Sequence, residues 1–207
     1  GASPFPVPLC CEVLYGDRLS YKQLLGEQYP GQRQCDILIP DVVTDFDELS
    51  NIEDETLDFI VTCHVIEHTR NPVGSIVTAH KKLKPGGRLL LVIPDKERTF
   101  DQQREITPLE HFFEDFYSPD RSRDFSHYEE FYRLAMPVPD EIFAKTVREK
   151  FEQHYAIHYH VWTHDSFAEM LHAINRRLNL WESVWTHPAV GPPESSNEFY
   201  AVLVKES

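Results

Sequence analysis

Apolar and polar positions alternate along the chain in a way that reads as strands and helices taking turns. CEVLYGD (11–17) is a short apolar run that ends on an acid and predicts a strand. SYKQLLGEQY follows as a short helix closed by Pro30 and Gly31, and CDILIPDVV predicts a second strand, rich in β-branched residues. LDFIVTC (57–63) is almost continuously apolar, as a parallel strand covered on both faces should be. NPVGSIVTAHKKL predicts an amphipathic helix with Val73, Ile76, Val77 and Leu83 on one stripe, stopped by Pro85-Gly86-Gly87. RLLLVIPD then predicts another buried strand. This alternation is that of an α/β doubly wound, mostly parallel sheet.

Beyond Asp95 the rhythm changes. Residues 96–160 are rich in aromatic, histidine and charged positions without a buried strand pattern, and predict two or three helices inserted over the sheet. THDSFAEMLHAINRRLN predicts a helix with Thr163 as N-cap and Phe167, Met170, Leu171, Ile174 and Leu178 at helical spacing. LWESVWTH and NEFYAVLVK, joined by the turn-rich PAVGPPESS, predict an antiparallel C-terminal hairpin at one sheet edge. The expected organisation is a single domain over 1–207 with a helical insertion at 96–160.

The 207 residues suit that organisation, and 41% hydrophobic content supplies a core. Acidic residues number 34 against 20 basic ones, a formal charge of −14. Such a surface repels phosphate backbones, which argues against a nucleic-acid partner. No apolar run is long enough to span a bilayer, so no membrane partner is expected. The first residues, GASPFPVPLCC, lack the features of a secretory signal. Cys10, Cys11, Cys35 and Cys63 form no C-x-x-C pair and read as reduced thiols of a cytoplasmic protein. A homo-oligomer is compatible with the sequence.

The chemistry-bearing residues cluster in VTCHVIEHTRNP (61–72). His64, Glu67 and His68 spell H-x-x-E-H, which on a helix is a zinc-peptidase signature. Here His64 follows a buried strand and Thr69-Arg70-Asn71-Pro72 breaks any helix starting there. The two histidines are therefore not expected to share a helical face, and no metal is expected. Alternation in IHYHVW puts His158 and His160 on one side of an extended segment, a pair read as packing rather than metal-binding. His111, in PLEHFFEDF, is a candidate for touching a substrate.

LDFIVTCHVIEHTRNPVGSIVTAHKKLKPGGRLLLVIPD resembles class I S-adenosylmethionine-dependent methyltransferases: an Asp-Phe strand, a His-x-x-Glu-His step, a helix, then Lys-Pro-Gly-Gly before an apolar strand. With VLYGDRLS, DVVTDFDEL, PDKERTFD, TPLEH and HVWT, the resemblance extends over nearly the whole chain to a bacterial subgroup, some members of which are encoded near sugar-modifying enzymes. It implies a Rossmann-like methyltransferase fold and S-adenosylmethionine as cofactor. It places Asp17, with Arg18 beside it, at the ribose, Asp41 or Asp45 at the adenine edge, and Cys63 and His64 at the methionine end. It makes Gly1 and Ala2 the end of a glycine-rich cofactor loop whose preceding strand the chain lacks, and it expects a gap between the strands at EVLYGD and LDFIVTC. The implied reaction is methyl transfer to an oxygen or nitrogen of a small molecule, a sugar or sugar-derived metabolite among the candidates. The residues 96–160 would cap the acceptor, and His68, Glu67 or His111 would act as base. A catalytically silent binding module and a zinc hydrolase are the alternatives.

Overall fold

A computed structural model describes residues 6–33, 36–118 and 121–207. A four-stranded sheet is built from β3 (Leu57–Cys63), β4 (Leu83–Pro94), β5 (Trp181–His187) and β6 (Glu198–Lys205), in the order β3-β4-β6-β5. β3 and β4 run parallel, and β6 lies antiparallel to both β4 and β5, so the predicted C-terminal hairpin forms the sheet edge. β1 (Gly16–Asp17) and β2 (Val42–Val43) pair parallel in a separate two-stranded ladder. β1 does not pair with β3 and, among the described residues, β3 pairs only with β4.

Both N-terminal strands are much shorter than the hydrophobic pattern predicts. The Tyr15 carbonyl takes the N–H groups of both Asp41 and Val42, and the Asp41 carboxylate takes the Tyr15 N–H at 2.9 Å. Side-chain capping by Asp41 thus replaces ladder pairing on the N-terminal side of the two-residue register. The helix at SYKQLLGEQY is one short α segment, α1 (Tyr21–Gln23), continuing as a π turn over Leu24–Gln28.

α2 (Pro72–Lys82) starts where its cap dictates. The Asn71 side chain accepts the Gly74 N–H at 2.8 Å, and Pro72 at the first helical position needs no N–H partner. It ends at Lys82, before the Pro-Gly-Gly expected to stop it, because β4 begins at Leu83. Pro85-Gly86-Gly87 instead form a bulge inside β4, between the pairs Leu57–Leu83 and Phe59–Arg88. Gly86 sits at φ 74°, and a Cβ on Gly87 would come within 2.8 Å of the Lys84 carbonyl oxygen.

α6 (His164–Leu178) carries the predicted cap: the Thr163 side chain accepts the Ser166 N–H, and Asn179 closes the helix in the left-handed region at φ 47°. Val73, Ile76 and Ala79 of α2 and Phe167, Leu171 and Ile174 of α6 bury against Leu89, Leu91, Ile93, Phe199 and Leu203 of the sheet. This burial is the main source of stability.

The segment 96–160 contributes α3 (Leu109–Tyr117), α4 (Asp124–Glu130) and α5 (Asp140–Glu152). α3 belongs to the main core through Phe112 and Phe113, whereas Tyr128 of α4, Phe131, Tyr132 and Ala135 of the π turn that continues it, Val147 of α5 and Ile157 build a second apolar cluster. The inserted helices therefore carry a small core of their own.

Candidate active site

The site begins where β3 runs out. The His64 N–H still donates to the Val92 carbonyl, 3.0 Å away, but the residue turns into the left-handed region at φ 52°. That conformation is uncommon for a side chain other than glycine and strains the backbone. A single 3-10 turn, Ile66–His68, follows, anchored by the fully buried Ile66 and closed by Thr69, whose hydroxyl donates to the Ile66 carbonyl. As the sequence indicates, His64 and His68 do not share a helical face. The strand end and the turn nevertheless fold both rings back toward the same carboxylate.

That carboxylate is Glu67, 1% exposed and with no hydrogen-bond partner for either oxygen. His64 Nδ1 lies 3.8 Å from Glu67 Oε1, His68 Nε2 3.9 Å and His158 Nε2 3.9 Å. Each ring is held from its other nitrogen. His68 Nδ1 donates to the Ile157 carbonyl at 2.9 Å, His158 Nδ1 to Asp101 Oδ2 at 2.6 Å, and His64 Nε2 to Glu198 Oε2 at 2.8 Å. A carbonyl or carboxylate only accepts, so in the neutral rings these nitrogens carry the protons and the nitrogens facing Glu67 present lone pairs. Burial pushes the Glu67 carboxyl up to about 8 and the His68 imidazole down to about 4, the latter reinforced by the neighbouring His158.

Behind this cluster stands Arg104, whose side chain is 1% exposed. It donates to Asp101 Oδ1 at 3.0 Å, to the backbone carbonyls of His158 and Tyr159 at 2.8 and 3.2 Å, and to Glu130 at 3.2 Å. Burial works to raise the Asp101 carboxyl, but His158 and Arg104 outweigh it and hold the group below its ordinary range. The Tyr159 N–H donates to the Glu67 carbonyl at 2.8 Å and ties the extended segment to the 3-10 turn.

An open cleft of 660 Å³ lies at the carboxyl ends of β3 and β4, lined by His64 and His158 together with Pro94, Thr99, Phe100 and Asn197. Arg18 is near enough for its charge to oppose protonation of His68, which brings the end of β1 to the same neighbourhood. Asp17 is half-buried at that strand end, and its Oδ1 accepts the Leu19 N–H at 2.9 Å. Asp41 caps Tyr15, and Asp45 accepts the Asp47 N–H at 3.3 Å within the turn after β2. Cys63 is exposed at the end of β3, its thiol pushed up by burial of the sulfur and by Glu198. Gly1 and Ala2 lie outside the described residues, as does Cys35.

His111 does not join this group. It sits on α3 in a second cluster, with Nε2 3.2 Å from Asp115 Oδ2 and its ring 5.2 Å from His127 and 5.3 Å from His160. Arg123 donates to Asp115 Oδ1 at 2.7 Å. Burial, helped by the neighbouring His111, drives the His127 imidazole down to about 4. His158 and His160, paired in the sequence reading, in fact diverge, one to Asp101 and Glu67 and the other to Asp115 and the Arg70 carbonyl.

Sequence reasoning missed Asp101, Arg104 and Glu198. Asp101 lies within PDKERTFD, where the family resemblance was visible, but nothing local tells that its partner is His158. Arg104 and Glu198 reach the site across long sequence separations and carry no local signal.

A family model described as a methyltransferase domain matches residues 26–178. No curated protein matches the chain. Among solved structures, the DszA carbon methyltransferase aligns at 13% identity and a TM-score of 0.45, over 93% of this chain and 39% of that one. A SAM-dependent methyltransferase from Thermotoga maritima aligns at 12% identity and a TM-score of 0.44, over 87% of this chain and 70% of that one. The arsenic(III) S-adenosylmethionine methyltransferase of Chlamydomonas reinhardtii aligns at 10% identity and a TM-score of 0.37, over 81% of this chain and 44% of that one. The chain thus spans about two fifths of the length of DszA. Among the described residues, no helix is long and apolar enough to cross a membrane.

Proposed function

The chain belongs to the methyltransferase domain family, and from that premise we propose that it transfers a methyl group from S-adenosylmethionine to an oxygen or nitrogen of a small polar acceptor. The acceptor class the site suits is a sugar or a sugar-derived metabolite. The observation that carries this reading is the convergence, at the carboxyl ends of β3 and β4, of His64 with Phe100 and His158 around one cleft. Ligands of doubly wound sheets bind on that side.

The donor set fits the cofactor. Asp17, at the end of β1, takes the ribose hydroxyls in this reading, as the family resemblance implies. Asp41 or Asp45 would take the amino edge of the adenine, and Cys63 and His64 would flank the methionine end. When bound, S-adenosylmethionine supplies an electrophilic methyl carbon, and the protein's part is alignment, exclusion of water and management of the acceptor proton. Phe100 offers an aromatic face and Thr99, Gln102 and Asn197 offer polar groups in the cleft wall, a mixture that suits a polyhydroxylated ligand. The segment 96–160 is the acceptor cap in this reading, since its first residues line the cleft and its helices pack behind His158 through Phe131. In this reading His68 Nε2, its ring oriented by the Ile157 carbonyl, takes the acceptor proton, with Glu67 beside it. His111 moves from candidate base to a support of the cap, held with Asp115 and His160.

Titration with S-adenosylhomocysteine by calorimetry tests the reading. Binding is expected, and Asp17→Ala should weaken it by about 1.5–3 kcal/mol, the scale for losing hydrogen bonds to a charged group. A folded Asp17→Ala protein with unchanged affinity would remove Asp17 from the cofactor site. Absence of binding by the unaltered chain would leave a silent module.

A further inference from the structure

Three imidazole lone pairs and a buried carboxyl group converge, with at most the one carboxyl proton among them. His64 Nδ1, His68 Nε2 and His158 Nε2 stand 3.8–3.9 Å from Glu67 Oε1, and the hydrogen bonds on their outer nitrogens direct all three as acceptors. Neither Glu67 oxygen has a partner, although the residue is 1% exposed. A buried polar group is ordinarily satisfied, and one proton on Glu67 satisfies at most one of the three facing nitrogens. A cation satisfies all of them at once.

We propose that Glu67, His68 and His158 bind one divalent first-row transition-metal ion, with His64 at its cleft side. The ligand atoms of the first three lie within 4.8 Å of one another. Tetrahedral ligands at zinc bond lengths of about 2.0–2.2 Å stand roughly 3.4 Å apart, so closure asks a shift of at most about 0.7 Å of each side chain. Two imidazoles and one carboxylate suit zinc, iron, cobalt or manganese rather than calcium or magnesium, which prefer an all-oxygen shell. The outer partners are those a metal-binding histidine uses: a carboxylate on His158, a backbone carbonyl on His68 and a second carboxylate on His64. Three protein ligands leave a position open, and His64 and His158 line the cleft, so an acceptor oxygen has a route to the ion.

The second cluster, His111, Asp115 and His160, meets the same distance criterion but not the same chemistry. The Arg123 guanidinium donates to Asp115 at 2.7 Å, so its carboxylate already has a cation. This gives an internal control. The inference stands on the side-chain arrangement and is independent of methyl transfer. It reverses the expectation drawn from the interrupted helix: the ligands come together through a strand end, a 3-10 turn and a distant extended segment instead of one helical face. With an ion in place, the lone pair of His68 Nε2 would be a ligand rather than a base, and the ion would acidify a bound acceptor hydroxyl, whose proton would pass to water in the open cleft.

The experiment uses the full chain, stripped with a chelator, dialysed and titrated separately with Zn²⁺ and Co²⁺. Elemental analysis and calorimetry should give one ion per chain. Co²⁺ should develop visible d–d absorption, and Zn²⁺ should raise the melting temperature in a way that chelation reverses. Glu67→Gln and His158→Ala should each lower the affinity beyond the roughly 10–100-fold that loss of an outer partner costs, and Asp101→Asn should fall within that range. His111→Ala should bind as the unaltered chain does. If either buried variant fails to fold, His68→Ala, whose side chain is 35% exposed, carries the same test. No stoichiometric binding in the micromolar range, or equal affinity in the variants, would overturn the proposal.

Discussion

Arg104→Met removes a guanidinium that holds two parts of the molecule together, while keeping most of the apolar stem. In the folded protein the side chain is 1% exposed and donates to Asp101, to Glu130 and to the carbonyls of His158 and Tyr159. The change strips the Asp101 carboxylate, itself 2% exposed, of one of its two partners and leaves His158 alone to balance it. It also leaves two backbone carbonyls short of a donor. Breaking a buried ion pair from one side costs about 3–5 kcal/mol, and an unsatisfied buried acceptor about 1–3 kcal/mol. These costs overlap, because relaxation around the lost side chain answers both, and Glu130, whose side chain is 37% exposed, returns to water at little cost. The expected loss is therefore about 3–5 kcal/mol in total, read from urea unfolding by linear extrapolation. Arg104→Met combined with Asp101→Asn should recover part of it, since the amide needs no counter-charge. A loss below about 1 kcal/mol, or additive effects in the double variant, would mean that the segment 157–162 is held by packing alone and that the polar network is incidental.

Two further outcomes follow from local structure. The Asp47 carboxyl, raised to about 6 by burial against an opposing hydrogen bond from Ser75, binds protons more tightly folded than unfolded. Its contribution is therefore present in full below about pH 4 and is lost as pH rises through about 6; melting temperatures from pH 4 to 8 should decline less steeply for Asp47→Asn, with a gain of up to about 3 kcal/mol at neutral pH, and parallel curves for the two proteins would refute the shift. Thr163→Ala removes the side chain that caps the Ser166 N–H at the start of α6 and should cost about 1 kcal/mol of unfolding free energy, whereas an unchanged midpoint would mean that water replaces the cap without loss.

The elements legible in the sequence are those whose residues answer to one local rule. β3, the apolar half of β4, α6 and the C-terminal hairpin each show a single periodicity over many residues, and each formed where expected. The N-terminal strands looked equally apolar but shrank to Gly16–Asp17 and Val42–Val43, where the Tyr15 N–H just before β1 is taken by the Asp41 side chain instead of a neighbouring strand. Pro85-Gly86-Gly87 was read as a helix stop and works as a bulge. Proline and glycine report only that regular structure is interrupted, and whether a helix ends or a strand buckles depends on what pairs with the next residue.

The candidate site was half legible for the same reason. H-x-x-E-H draws attention to Glu67 and its neighbours, but spacing tests only whether side chains share one face of one element. Convergence here is made by two segments, and three contacts hold them in register. The Tyr159 N–H donates to the Glu67 carbonyl, His160 Nε2 to the Arg70 carbonyl at 3.2 Å, and His68 Nδ1 to the Ile157 carbonyl. Arg70 in turn pairs with Asp124 at the start of α4. The turn after β3 is thus bonded on one side to the helices of 96–160 and on the other to the segment that returns from them. Because the inserted helices have their own apolar cluster, the chain can position His158 against Glu67 without drawing on the sheet's core. The geometry of the site follows from how that small cluster docks on the turn, and docking between two cores is a property that no local pattern of residues records.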